Sequence, residues 1–359
     1  MSSCGYEVMG LGLDGPVEEV ERMIDWAAEM TFEPRFDPDR WQWQRQLARA
    51  ELKAVEDEPE AIAGWAFLRQ LYGEHPRGRP LAGTAETLAR LSVADSRESH
   101  RRALAGGLVI ALAGLVDEGR MSERLTRVFQ AARRVRADPP LEPPTASGGG
   151  RRQRVDLPGE QAHLFLGQPT VSRAHPDLPA LELSAVVLGA GAGLAGRIPD
   201  LLRERLGLAY TTTVETAGGA SADRGRLTLY AATGVDRLEQ AETAMRDELE
   251  RFVVEGASAE ELSMARSFLE GQELFRRETA RQWADLLAEA EHTGLAVDSP
   301  TWAAQRWAGV TLDDLRAAAE RWLDPADLQV TVGLPKPPSR HPGRSQSAPE
   351  PGTRSGGAS

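Results

Sequence analysis

Between Asp138 and Arg154 the chain carries Pro139-Pro140, Pro143-Pro144 and Gly148-Gly149-Gly150. Proline lacks the amide hydrogen that a helix or a ladder needs, and consecutive glycines lose the most backbone freedom on ordering. Neither a continuous helix nor a ladder strand can cross such a stretch, so the chain is expected to fold as two bodies joined by it. This reading places one lobe at 1–137, a Pro/Gly-rich linker at 138–159 and a second lobe at 160–335. A disordered tail is expected at 336–359, where Pro, Ser, Gly and Arg follow one another without hydrophobic periodicity. With 359 residues in all, each lobe is long enough to bury a core.

Within each lobe the patterns mix two periods, which predicts an α+β fold. Tyr6 to Leu13 alternates as a strand, and Val17, Val20, Met23, Ile24, Ala27 and Met30 follow at helical spacing. Asp37-Pro38 and Pro59 each open a further helix. Leu108 to Leu115, a continuous apolar run, reads as a buried strand. A helix from Met121 to Val135 closes the first half. In the second half Ala162–Leu166, Leu208–Thr216, Arg226–Thr233 and Leu328–Leu334 read as strands, the middle two as an antiparallel hairpin. Ser258 with Glu261 has the spacing of a helix capping box, and Thr311 with Asp314 repeats it.

The halves also match one another. Val93-Ala94-Asp95, a helix and Leu108–Leu115 parallel Val310-Thr311-Leu312-Asp313, a helix and Leu328–Leu334. Strand Tyr6–Leu13 with its helix parallels Arg226–Thr233 with the helix after Val235. The expected architecture is therefore two related lobes, each a mostly antiparallel sheet covered by helices. Residues 161–215 precede the shared strand in the second half, whereas five residues precede it in the first, so the first repeat reads as starting partway through.

Composition narrows the function. A net charge of -12 argues against a nucleic-acid partner. The single cysteine, Cys4, excludes an internal disulfide framework and a multi-thiolate metal site. No apolar run approaches the ~20 residues of a membrane span, and no signal peptide is visible, so a cytoplasmic location is the expectation.

The stretch Leu201-Leu202-Arg203-Glu204-Arg205-Leu206-Gly207-Leu208-Ala209-Tyr210 reads as a helix end, a glycine stop and the start of a strand. It resembles the "LRExxGLAY" signature in the C-terminal half of pitrilysin/insulinase-type zinc metallopeptidases. Glu33-Pro34-Arg35-Phe36 and His75-Pro76-Arg77-Gly78-Arg79-Pro80-Leu81-Ala82-Gly83-Thr84 are similar to two more motifs of that family, "NPxF" and "HPxGxPxxGT", so the resemblance runs from about Tyr6 to Leu334. It implies that Arg203 and Tyr210 hold a substrate backbone and stabilise a tetrahedral intermediate, as preorganised donors do. Without the resemblance, Arg203 reads equally as a cation at a helix C-terminus and Tyr210 as a packed sheet residue.

The family's metal chemistry needs His-x-x-Glu-His on a helix, with a third ligand, a Glu, on a later one. No two of His75, His100, His163, His175, His292 and His341 have that spacing. Glu51 matches the third-ligand position only, and shares a helical stripe with Ala48 and Val55 that suggests an inward face. The first lobe is thus read as an incomplete peptidase-like lobe, with no zinc expected for this chain alone and zinc held in a partner. The resemblance implies a non-catalytic, peptide-binding subunit in a hetero- or homo-oligomer with an active zinc peptidase. The alternative is a zinc metalloendopeptidase whose N-terminal catalytic segment lies outside this sequence.

A third reading comes from Gly191-Ala192-Gly193-Leu194-Ala195-Gly196, which fits G-x-G-x-x-G after the apolar Ala185-Val186-Val187-Leu188. A dinucleotide-binding oxidoreductase would need a strand before that loop and a helix after it. Pro199 comes early for such a helix. The tryptophans on helical patterns, among them Trp41, Trp65, Trp283, Trp302, Trp307 and Trp322, read as core anchors. Arg151-Arg152-Gln153-Arg154 reads as solvated linker.

Overall fold

The computed structural model describes residues 2–130, 150–190, 196–297 and 301–336. Its organising element is a five-stranded sheet in the second half, in spatial order β3-β7-β4-β6-β5. The strands are β3 (Arg152–Leu157), β4 (Ala162–Pro169), β5 (Ala209–Gly218), β6 (Arg226–Thr233) and β7 (Gln329–Pro335). All pairings are antiparallel except β3 with β7. The class is α+β and antiparallel-rich, as the alternating periods predict.

Strand β4 is buried along nearly its whole length because both faces of the sheet are covered. On one face lie α7 (Leu178–Ala185), α9 (Leu238–Glu255), α10 (Ala259–Phe275), α12 (Trp302–Ala308) and α13 (Leu312–Trp322), with Leu181, Met245, Phe252 and Leu315 sealed in the core they share with the strands. The other face is closed by a helix from the first half, α3 (Pro59–Tyr72). Its Ala63, Phe67 and Leu71 pack on Leu157, Phe165 and Tyr230, with the Phe67 and Phe165 rings stacked at 5.5 Å. Gly167 lets α3 come this close: a Cβ there would lie 2.0 Å from the Leu227 carbonyl oxygen and 2.7 Å from the Phe67 ring.

The first half has two short strands, β1 (Ser2–Cys4) and β2 (Met9–Leu11), paired with each other. Its helices besides α3 are α1 (Val20–Phe32), α2 (Pro38–Glu56), α4 (Ala85–Arg90), α5 (Val93–Ala105) and α6 (Glu118–Val128). Its own core is small, centred on Ile24, Met121 and Phe129. Asp37 caps α2 by accepting from the Asp39 and Arg40 amides, and Ser258–Glu261 and Thr311–Asp314 form both reciprocal capping boxes. Two further segments, α8 (Arg197–Pro199) and α11 (Ala280–Thr293), complete the α-helices among the described residues.

Three expectations are corrected here. Leu108–Leu115 is not a strand, and Leu115 is 88% exposed. A strand needs a ladder partner for its amides, and the described strands of this half pair only with one another. Of Tyr6–Leu13, only Met9–Leu11 is strand. At the end of the expected linker, Arg152–Leu157 is strand β3, its amides satisfied by parallel pairing with β7. The helix predicted from Met121 to Val135 is present as α6 but ends at Val128; the remainder of that prediction from position 131, most of the linker and the tail beyond 336 fall outside the described residues.

Candidate functional site

The polypeptide reaches Arg203 and Tyr210 through an irregular helical passage. α7 continues into Val186–Leu188 and kinks at Gly189 (φ 153°), and a π-helical segment, Asp200–Arg205, follows α8. The wide turn ends with the Leu206 amide donating to Leu201 and the Leu208 amide to Leu202, around Gly207 at φ 60°. A left-handed stop of this kind favours glycine. Arg203 lies in the last turn, with its side chain 32% exposed and its Nε donating to Glu204 Oε1 at 2.7 Å. Its Nη donors have no protein partner among the described residues.

Tyr210 follows at the start of β5. Ala209 pairs with Thr233 and Thr211 with Ala232, so Tyr210 is the extra residue of a β-bulge. A bulge re-aims the side chain it carries. Here the phenol is 78% exposed, although its neighbours Ala209 and Leu208 are buried. β5 is also the edge of the sheet, paired on one side with β6. The site therefore combines an open guanidinium fork, an exposed phenol and an unpaired strand edge, all donors or acceptors suited to an extended backbone. No hydrogen bond or cation–π contact joins Arg203 to Tyr210.

Glu51, expected to face inward, is exposed on α2. A stripe containing Ala48 and Val55 carries too little apolar volume to turn this face toward a core. Among the described residues no group of three or more His, Cys, Asp or Glu side chains is placed to hold a metal ion. The residues present do not fit the zinc that the resemblance implies, since a catalytic zinc takes three protein ligands. The dinucleotide reading is corrected as well. The segment before the glycine loop prolongs α7 to a kink at Gly189 and is not a strand, and β5 enters an antiparallel hairpin with β6. The loop itself, 191–195, lies outside the described residues.

A second cluster was not legible. Arg77, 5% exposed, donates to Glu7, to Asp223 Oδ2 at 3.4 Å and to the Gly219 carbonyl at 2.6 Å. Glu7 also accepts from the Ala222 and Asp223 amides at 3.1 and 3.2 Å and pairs with His292 Nε2 at 2.9 Å. Burial opposes the charge on Glu7, but hydrogen bonds from Ser221, His292 and Arg77, with the Arg77 charge, hold its carboxyl at about 2. This knot ties the first residues to the β5–β6 turn and to α11. The His75-Pro76-Arg77-Gly78 motif marked one member of it; the partners lie up to 285 positions apart.

Comparison with known proteins decides the family. Residues 94–269 match the model of the peptidase M16 inactive domain. The chain belongs to the M16, or pitrilysin/insulinase-type, peptidase family. An uncharacterised zinc protease of Mycobacterium tuberculosis is 31% identical to this M16 chain over 271 residues, covering 74% of this chain and 60% of that protein. One from Mycobacterium leprae is 29% identical over 278 residues, covering 76% and 61%. The chain thus spans about three fifths of the length of the curated relatives it matches. The M16 inactive domain of Pseudomonas fluorescens shares the fold at a TM-score of 0.78, with 22% identity over 89% of this chain and 76% of that one. Among the described residues no helix is long and apolar enough to cross a membrane.

Proposed function

We propose that this M16 chain is a non-catalytic, peptide-binding partner of an active zinc peptidase subunit. The observation that carries the reading is Tyr210: an aromatic residue held out of the core by a bulge, on a sheet edge, beside the turn that bears Arg203. Ordinary packing gives no reason to expose that ring. A substrate peptide laid along β5 would meet the phenol and the guanidinium, each donating to a carbonyl oxygen that gains charge during hydrolysis. The zinc and its activated water would come from the partner, because the described residues offer no matching ligand set.

The test is purification of the chain from its native cells, followed by peptide cleavage assays on what accompanies it. A co-purifying chain bearing His-x-x-Glu-His is expected. In that complex Arg203→Ala and Tyr210→Phe should each lower turnover by roughly 10- to 1000-fold, the scale of losing one oxyanion donor. Unchanged turnover in both variants would defeat the reading. A second reading is favoured by the three-fifths span of relatives named zinc proteases. In it the same two residues serve a zinc site encoded upstream in one polypeptide, and a contiguous reading frame containing the motif would select it.

A further inference from the structure

Away from β5, the second half has an open cavity of about 810 Å³ between the 174–180 segment and helices α12 and α13. Its charged residues are two acids, Asp177 and Asp314, and two bases, Arg306 and Arg321, and they do not pair off one to one. Asp177 Oδ2 is taken by Arg321 at 2.6 Å and by the Trp322 indole N–H at 2.8 Å. Asp314 Oδ2 is taken by the Thr311 amide at 2.8 Å and hydroxyl at 2.6 Å. Glu182, just behind the wall, accepts from Arg173 at 3.1 Å and the Trp307 indole at 2.8 Å.

Arg306 is the cation left over. Its guanidinium lies 5.3 Å from the centre of the Trp302 ring, with no hydrogen bond and no carboxylate in ion-pair reach among the described residues. Burial lowers its pKa, with Glu182 opposing that effect and Arg173 adding to it. Trp302, 5% exposed, also lines the cavity, and its own indole N–H is buried without an acceptor. Leaving a half-desolvated charge and a buried donor unmatched is costly, and a guanidinium stacked on an indole is preset for a planar, two-oxygen acceptor. Apart from His175 and Gln305, the rest of the wall is small and apolar, including Pro179, Leu295, Val310 and Ala318.

We propose that this cavity binds an organic anion with a carboxylate head on Arg306 and a short apolar body against Leu295 and Val310. A free peptide C-terminus has this chemistry, and so does a branched short-chain acid. The ligand here is independent of whether Arg203 and Tyr210 meet a peptide elsewhere on the molecule.

Calorimetric titration of the full chain with N-acetyl-alanyl-leucine, its C-terminal amide, isovalerate and inorganic phosphate tests it. The peptide acid should bind, the amide about tenfold or more weaker, and added salt should weaken the acid. Isovalerate matching the peptide acid would support the site and assign it to free acids; isovalerate binding far more weakly would support it and assign it to peptide ends. Arg306→Gln should lose about tenfold or more of the acid's affinity, and Arg306→Lys, which keeps the charge without the fork, should fall between. Equal binding of acid and amide, phosphate binding without acid binding, no acid binding at all, or undiminished affinity in a folded Arg306→Lys and Arg306→Gln pair would each overturn the assignment.

Discussion

Replacing Glu7 by glutamine should loosen the knot that holds the first residues to the second half. Glutamine keeps the shape and one acceptor but removes the charge facing Arg77, which is almost wholly buried. A carboxyl held at about 2 in place of its ordinary 4.5 corresponds to roughly 3 kcal/mol, at about 1.4 kcal/mol per pH unit. Partial exposure and screening discount this, and Arg77 keeps Asp223 and the Gly219 carbonyl, so about 2 kcal/mol is expected from the loss. For a chain of this size that is a fall of roughly 2–4 °C in melting temperature at neutral pH. The sign of the pH dependence follows from the lowered carboxyl. The stabilisation is complete above pH 4.5 and is lost as pH falls toward about 2, so wild type and Glu7→Gln should converge on acidification. Urea denaturation of Glu7→Gln, Arg77→Gln and the double variant between pH 7 and pH 3 measures both the size and the coupling. A neutral-pH effect below about 0.5 kcal/mol, or a gap that stays constant down to pH 3, would refute the reasoning.

Tyr210→Phe and Arg203→Ala should leave stability within about 0.5 kcal/mol, since neither side chain is in a core; thermal melts of the same variants used for turnover check this. Gly167→Ala should cost about 3 kcal/mol, because the new methyl meets both a strand carbonyl and Phe67; chemical denaturation would show it. Amides of Tyr6–Leu13 should exchange with solvent faster than those of Arg226–Thr233, as β2 has one short partner and β6 lies between two strands; equal protection in a monomer would contradict this.

Much of the second half was legible because its elements announce themselves locally. The apolar run of β6 and the capping serines and threonines need only neighbours in sequence to be read, and the Gly207 stop marks its own turn. What failed depended on distant partners. β3 begins Arg-Gln-Arg beside a glycine triplet and looks like linker; it is a strand because β7, far along the chain, satisfies its amides. Leu108–Leu115 has the composition of a strand but no ladder to join. Arg203 and Tyr210 stood out only through the signature their stretch resembles, whereas the bulge that exposes the phenol is visible only in the register between β5 and β6. Arg306 carried no sequence signal, since being left unpaired is a property of its surroundings.

The cover that α3 lays over the second sheet makes the two halves a poor guide to where the chain could be cut. A protease nick between residues 131 and 149 would break one peptide bond and leave Phe67 still stacked on Phe165, with the Glu7–Arg77–Asp223 knot intact. Such a nicked molecule should migrate as one particle and come apart only on denaturation. A fragment starting after that point would be born with a greasy, uncovered sheet face and should aggregate, however complete its own helices are.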